Sequence, residues 1–193
     1  SRWWVDILGG LETVRVIHPL EIFDNGDSPD LRESVARDLS SLRIACYYGC
    51  LLTRPPRAVG ISSRNDDDHE YPMVMDNLME NLGAVPVDWS YKTDCCGATF
   101  ALTETEAVLA LTKKILDNAR AVGANAIAVA CPLCHVNLDA RQKEIARRSG
   151  TTYDIPIFYF TQVMGLAFGI RPKLLGVSKH LTSTESALAL IGS

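Results

Sequence analysis

From residue 42 onward, short apolar runs alternate with longer segments in which apolar residues recur every three or four positions. The apolar runs are typical of buried strands, whereas the spacing of three and four is typical of helices that bury one face. The predicted strands are 42–46, 85–89, 126–130 and 155–158, and the predicted helices are 71–82, 103–122, 135–148 and 161–168. Between the first strand and the first helix, Pro55, Pro56 and Gly60 predict a long loop over residues 49–71.

This alternation of strands and helices predicts the fold class. Successive strands joined through a helix need a crossover connection, which makes neighbouring strands parallel. We therefore expect an α/β domain over residues 41–193, with a three-layer, Rossmann-like arrangement and a mostly parallel sheet of about four strands. The crossovers are expected to be right-handed.

Residues 1–40 fit this alternation poorly and are assigned to an N-terminal helical flanking segment. Its apolar spacing predicts helices over 12–23 and 31–39, separated by a turn at 25–29 that contains Gly26 and Pro29. We expect the segment to pack on the sheet or to contact a partner, and Trp3 and Trp4 are candidates for either role.

Composition narrows the class of protein. With 193 residues, 47% of them hydrophobic, and a net charge of -4, the chain fits one compact domain and not a disordered segment. The pI near 5.5 argues against a nucleic-acid partner, which needs a basic face. No apolar stretch approaches the roughly 18 residues of a spanning helix, so we expect a cytoplasmic protein without a direct membrane span. The acidic run 66–68 is interpreted as solvated surface.

The cysteines are placed unevenly, each group just after a predicted strand. Cys50 follows the first predicted strand, Cys95 and Cys96 follow the second, and Cys131 and Cys134 follow the third. Because the carboxyl ends of parallel strands meet at one edge of the sheet, where ligands bind, we expect five thiols to converge there. The sixth, Cys46, ends a strand and is interpreted as a small buried hydrophobic residue.

Five thiols at one edge predict a soft-metal or redox site, because thiolates select zinc, copper(I) and iron–sulfur clusters. Structural zinc takes four ligands, usually from two CxxC-like pairs, but this chain has one CxxC, one adjacent pair and a fifth cysteine. Several irons accept an adjacent pair more easily than one tetrahedral ion does, so an iron–sulfur cluster is favoured, with zinc as the alternative. A cluster-free dithiol at Cys131 and Cys134 stays open, because a helix N-terminus lowers the pKa of a thiol.

The spacing resembles a known motif. The run is Cys50, 44 residues, Cys95-Cys96-Gly97, 33 residues, and Cys131-Pro132-Leu133-Cys134, with Tyr47-Tyr48-Gly49 before it and Asn137-Leu138-Asp139 after it. This pattern resembles the cysteine-rich CCG motif in the B subunit of heterodisulfide reductase, over about residues 10 to 170. In that family the five motif cysteines hold a noncubane [4Fe–4S] cluster. The resemblance implies that Cys50, Cys95, Cys96, Cys131 and Cys134 are metal ligands and act in catalysis through the cluster, with Cys46 outside the set.

The resemblance also implies a function. The family is an oxidoreductase that acts on sulfur groups, reducing a mixed disulfide as part of a complex with flavin- and ferredoxin-like iron–sulfur subunits. This chain is therefore expected to transfer electrons to a small disulfide or thiol substrate. The alternative is a non-catalytic electron-transfer or assembly subunit with a structural cluster or zinc site. The family's B subunit usually carries two motifs, whereas this chain carries one and resembles the C-terminal half.

Three further residues near the motif are candidates. His135 follows the CxxC and is a candidate proton donor to a leaving thiolate, although a histidine at a helix start also often packs. Arg54 and Lys92 are candidates for binding an acidic substrate group, against the plainer interpretation of solvated loop cations.

Overall fold

A computed structural model of the protein describes residues 18–23, 31–54 and 70–192. Its strands are β1 (Arg43–Tyr47), β2 (Val85–Pro86), β3 (Ala126–Val129) and β4 (Ile157–Tyr159). They form one sheet in the order β2-β1-β3-β4. Each neighbouring pair is parallel. The predicted α/β class with a parallel sheet is therefore confirmed.

The helices lie between and after these strands. They are α1 (Cys50–Thr53), α2 (Val74–Asn81), α3 (Thr105–Ala121), α4 (Pro132–Ser149), α5 (Phe160–Ala167) and α6 (Glu185–Leu188). Single 3-10 turns cover Pro19–Ile22, Arg32–Ser34, Ala98–Phe100 and Val177–Lys179. Within the described ranges, no helix combines the length and the apolar character needed to cross a bilayer.

Two hydrophobic cores lie on opposite faces of the sheet, because alternate strand residues point in opposite directions. Ile44 and Cys46 of β1 face a core that includes α2 and α5. Ala45 and Tyr47 face the other core, which includes α3 and α4. The four are fully buried, as expected for a parallel sheet covered by helices on both faces.

Several element boundaries differ from the prediction for local reasons. The helix predicted from residue 71 begins at Val74, because a residue before proline, here Tyr71, disfavours the helical conformation. The strand predicted over 85–89 keeps only two residues, and the Trp89 indole instead donates to the Cys46 carbonyl at 3.1 Å. The loop predicted over 49–71 is wrong at its start, where α1 forms, and its residues 55–69 lie outside the described ranges.

The N-terminal segment is not helical as predicted. The helix predicted over 31–39 is only the turn Arg32–Ser34, after which the amides of Ala36 and Arg37 donate to the Ala167 carbonyl. Of the helix predicted over 12–23, the described part is the turn Pro19–Ile22. Leu20 is fully buried against α2 and α5, so this part packs on the sheet domain.

Some predictions about loops and termini fall on residues that the structure does not describe. Trp3, Trp4, the turn at 25–29 and the acidic run 66–68 lie outside the described ranges. The division of the chain at residues 40 and 41 stays a prediction.

Candidate metal centre

The strand order places a crevice between β1 and β3. The chain runs from β1 to β2 on one side and then to β3 on the other, so the loops that follow β1 and β3 leave the sheet in opposite directions. Ligands of open α/β sheets bind outside the carboxyl ends of the strands at this switch point. Here the two loops carry Cys50 and the pair Cys131 and Cys134.

The five predicted cysteines are brought together in pairs. The sulfurs of Cys96 and Cys134 are 3.5 Å apart. Cys50 is hydrogen-bonded to Cys95 through their side chains, and Cys131 to Cys134. The predicted convergence of the five thiols is confirmed. All are free thiols, and no three His, Cys, Asp or Glu side chains of the described residues form a group suited to one metal ion.

The loop after β1 is tied to the loop after β2 through a main-chain contact. The amides of Tyr48 and Gly49 both donate to the Lys92 carbonyl, at 2.8 and 3.0 Å. These two bonds hold the turn before Cys50 against the segment that leads to Cys95. Buried main-chain groups that lose their partners cost free energy, so the contact fixes the separation of the two loops.

A second contact ties the adjacent cysteine pair to helix α4. The Asn137 amide donates to the Cys96 carbonyl at 2.6 Å and to the Thr112 hydroxyl at 3.2 Å. The Thr112 hydroxyl also lies 3.4 Å from the Cys96 carbonyl. Asn137 is one turn beyond Cys134 on α4, so the same helix positions a cysteine and the peptide of its neighbour.

Two glycines are required by the crowding around the thiols. Gly49 has φ +71°, and a Cβ atom there would lie 3.0 Å from the Cys134 sulfur. Gly97, directly after the cysteine pair, has φ +77°, and a Cβ there would lie 3.2 Å from the Cα of Val108 on α3. A side chain at either position would be strained by the backbone conformation and would displace a neighbour.

Tyr47 lies beneath the thiols, although the sequence analysis assigned it no role. Its fully buried side chain donates from the hydroxyl to the Asp94 carbonyl, next to Cys95. Burial, followed by the charges of Cys96 and three other cysteines, raises the pKa of Tyr47 far above its usual range. The phenol therefore stays protonated and available as a donor. The signal available in the sequence was its place on the strand face that points toward α3 and α4.

The two ends of the CxxC are electrostatically different. Cys131 is the N-cap residue of α4, and its hydrogen bond with the Cys134 thiol, aided by the amides of Cys134 and Leu133, lowers its pKa to about 6. The same bond and the neighbouring Cys96 raise the pKa of Cys134. Cys131 is therefore the anionic member of the pair, as a helix N-terminus favours.

The outer pair has a different environment. Burial raises the pKa of Cys50 to about 11, and its hydrogen bond with Cys95 adds to the effect. Cys96 is the opposite case, since its hydrogen bond with Cys134 lowers its pKa to about 7. Without a cation, the five thiols cannot all be ionised at neutral pH, because like charges at this separation repel.

Cys46 and the Lys92 side chain lie apart from the five thiols. Cys46 is fully buried and belongs to the core on the opposite face of the sheet from Cys96, as predicted for a small hydrophobic residue. The Lys92 ammonium is 2.7 Å from Asp76 and 3.2 Å from the Pro72 carbonyl, and the residue is 1% exposed. The interpretation of Lys92 as a solvated loop cation is wrong, and the structure does not bring its ammonium to the thiols as a substrate contact.

His135 and Arg54 are placed differently from each other. His135 has its Nε2 3.0 Å from the Ile157 carbonyl and its ring packed edge-on against His180, with the ring centroids 4.8 Å apart. The structure therefore places its ring against β4. Arg54 lines a cavity beside Cys50 and Cys95 and forms an exposed ion pair with Glu70.

The comparison with protein families bears directly on this cluster. Residues 44–139 match the family model described as CCG, the cysteine-rich domain. That segment contains the five converging cysteines, both glycines at the thiols and Asn137. The chain belongs to the cysteine-rich CCG domain family. Three curated relatives extend the similarity of this CCG domain beyond the matched segment.

The chain is 32% identical over 181 residues to the B subunit of the Ferredoxin/F(420)H(2)-dependent CoB-CoM heterodisulfide reductase of Methanosarcina acetivorans, covering 93% of this chain and 59% of that protein. It is 28% identical over 152 residues to the 8-methylmenaquinol:fumarate reductase membrane anchor subunit of Wolinella succinogenes, covering 79% of this chain and 52% of that protein. With a protein of Archaeoglobus profundus named as like the heterodisulfide reductase B subunit, it shares 27% over 150 residues, covering 76% and 49%. The CCG chain thus spans about half to three fifths of the length of these relatives, and in the Methanosarcina protein it matches the C-terminal part.

Proposed function

We propose that the chain is an iron–sulfur redox subunit of a heterodisulfide reductase-like complex, which transfers electrons to a disulfide. Its five cysteines Cys50, Cys95, Cys96, Cys131 and Cys134 would hold a noncubane [4Fe–4S] cluster. The observation that carries the proposal is the approach of five thiols from three separate loops at the switch point of the sheet. The relatives named as heterodisulfide reductase subunits support the same assignment.

The donor set fits a cluster of several irons. All five donors are soft thiols, which iron–sulfur clusters take as ligands. The adjacent cysteines face different neighbours, since Cys95 is bonded to Cys50 whereas Cys96 is bonded to Cys134. Ligands that diverge from neighbouring positions in the chain suit metals spread over a few ångströms better than one tetrahedral ion.

The protein's own groups would position the cluster and leave access to it. The Lys92 and Cys96 carbonyls hold the three cysteine loops at fixed separations. A cavity of about 390 Å³ next to Cys50 and Cys95 leaves room for a small disulfide. When bound, the cluster would supply one-electron chemistry and an iron to take up a substrate sulfur. Disulfide cleavage needs two electrons, so we propose that flavin- and ferredoxin-like iron–sulfur subunits, and a second motif-bearing half, complete the reaction.

Metal analysis of anaerobically purified protein tests the proposal. We expect about four irons and a matching amount of acid-labile sulfide per chain. Cys50→Ser should lower both, whereas Cys46→Ala should keep both, because Cys46 lies on the other face of the sheet. One zinc and no sulfide would refute the iron–sulfur assignment and favour the structural zinc alternative.

Disulfide reduction separates a catalytic from a structural cluster. With a chemical reductant and partner subunits supplied, a catalytic cluster predicts turnover that falls with iron content. A cluster that serves only in assembly or electron relay predicts bound iron but no disulfide reduction at this chain.

A second candidate function is a cluster-free dithiol reaction at Cys131 and Cys134. One observation favours it: Cys131 lies at the N-terminus of α4, with a lowered pKa, next to a protonated Cys134. Against it, Cys131 and Cys134 are each only 5% exposed. The dithiol reaction predicts full activity after iron is removed, whereas the leading proposal predicts that activity is lost.

A further inference from the structure

The cavity beside Cys50 and Cys95 has a distinctive charge pattern. Its walls include the cations Arg54 and Lys114 and the carboxylate of Asp94. A volume of about 390 Å³ falls within the roughly 300 to 1,000 Å³ of small-molecule sites. A ligand in this cavity would contact two of the five converging thiols and a cation at the same time.

The two cations are not equally available. Arg54 is in an ion pair with Glu70. Lys113, the neighbour of Lys114, is paired with Asp117 at 2.5 Å. Lys114 itself has no ion pair with any carboxylate in the part of the chain that the structure describes.

The position of Lys114 on α3 explains why it faces the cavity while Lys113 does not. Leu111, Lys114 and Ile115 all line the cavity and are spaced by three and four residues, so they share one face of the helix. Lys113 instead pairs with Asp117 along the helix surface, four residues on.

We propose that Lys114 is the specificity-determining residue of this cavity, where its ammonium binds the anionic group of a small thiol or disulfide whose sulfur lies toward Cys50 and Cys95. The assignment rests on the proposed function, since it treats the cavity as the substrate's route to the thiols. An ammonium is a compact point charge that accepts carboxylate, sulfonate or phosphate alike, so the recognised feature is the negative charge. A neutral thiol of the same size loses this contact.

Binding measurements with a charged and a neutral probe test the assignment. The probes are 3-mercaptopropionate and 3-mercapto-1-propanol, titrated calorimetrically into anaerobically purified protein at low ionic strength. For an exposed charge pair, Lys114→Gln should weaken 3-mercaptopropionate binding by about twofold to fivefold. It should leave 3-mercapto-1-propanol binding unchanged. The loss should shrink in roughly 1 M salt, where the screening length is about 3 Å.

Lys113→Gln is the matched control, because it removes the same charge one residue away, on a lysine that does not line the cavity. It should leave the binding of both probes unchanged. The assignment is overturned if Lys114→Gln weakens both probes equally or neither, if Lys113→Gln has the same effect, or if the unmodified protein binds neither probe.

Iron and sulfide are measured on the same samples, so that the two proposals fail separately. Protein without iron that still prefers the anionic probe through Lys114 would refute the proposed function and support the anion site. Protein with a full cluster but no preference between the probes would overturn the anion site alone.

Discussion

Replacing Lys92 with methionine removes the cation of a buried ion pair but keeps a long apolar side chain. The Lys92 and Asp76 side chains are 1% and 4% exposed, and their charged atoms are 2.7 Å apart. Asp76 also accepts a hydrogen bond from the Tyr48 hydroxyl at 2.8 Å. In the variant, the Asp76 carboxylate stays buried without its cation.

The cost of Lys92→Met follows from that burial. Breaking a buried pair by removing one partner costs about 3 to 5 kcal/mol, because the remaining charge is uncompensated. With a urea slope of about 2 to 3 kcal/mol per M, the unfolding midpoint should fall by roughly 1 to 2 M. Lys113→Met is the control, since Lys113 and Asp117 are 38% and 39% exposed and an exposed pair contributes about 0 to 1 kcal/mol.

The pH dependence of Lys92→Met gives a second measurement with a defined sign. Burial raises the pKa of Asp76, and Lys92 opposes that rise. Without Lys92 the pKa of the folded state rises further above the unfolded value of about 3.9. The penalty is then absent below the unfolded pKa and grows as the pH rises through the folded pKa. The stability gap between Lys92→Met and the unmodified protein should therefore narrow as the pH is lowered toward about 4.

Urea unfolding followed by circular dichroism, under anaerobic conditions at several pH values, measures both effects. Asp76→Asn combined with Lys92→Met should recover part of the lost stability, because it removes the uncompensated charge. A Lys92→Met midpoint equal to that of Lys113→Met, or a gap that widens in acid, would refute the reasoning.

Two further predictions concern the packing around the thiols. Gly49→Ala should lower the iron content per chain, because its Cβ would lie 3.0 Å from the Cys134 sulfur, whereas Gly176→Ala, at the same φ of +71° but with nothing within 4 Å, should keep it. Equal iron in both variants would contradict this steric account. Tyr47→Phe leaves the Asp94 carbonyl without its donor and should cost about 1 to 3 kcal/mol. Urea unfolding measures that cost, and electron paramagnetic resonance of the reduced protein should also change if the peptide before Cys95 moves.

The sheet and the convergence of the cysteines could be predicted because they depend on local patterns. The apolar run that forms β3 is buried on both faces, so composition alone marks it as a central strand. Cys50, Cys96 and Cys131 follow strand ends in the chain, and parallel strands place those ends at one edge. The segment 31–39 was mispredicted because its apolar residues pack against α5, with amides bonded to Ala167 and not within a helix.

The charged residues show the limit of this approach. Nothing local distinguishes Lys92, Lys113 and Lys114, yet the first is in a buried pair, the second in an exposed pair and the third beside the thiols. Their environments depend on groups that lie far away in the chain or on another face of a helix. The sequence by itself determined the fold class and which cysteines meet, since strand order and hydrophobic period are properties of the chain. Only the tertiary structure decided which cations are buried, paired or open to a ligand, because burial and pairing depend on distances between separate elements.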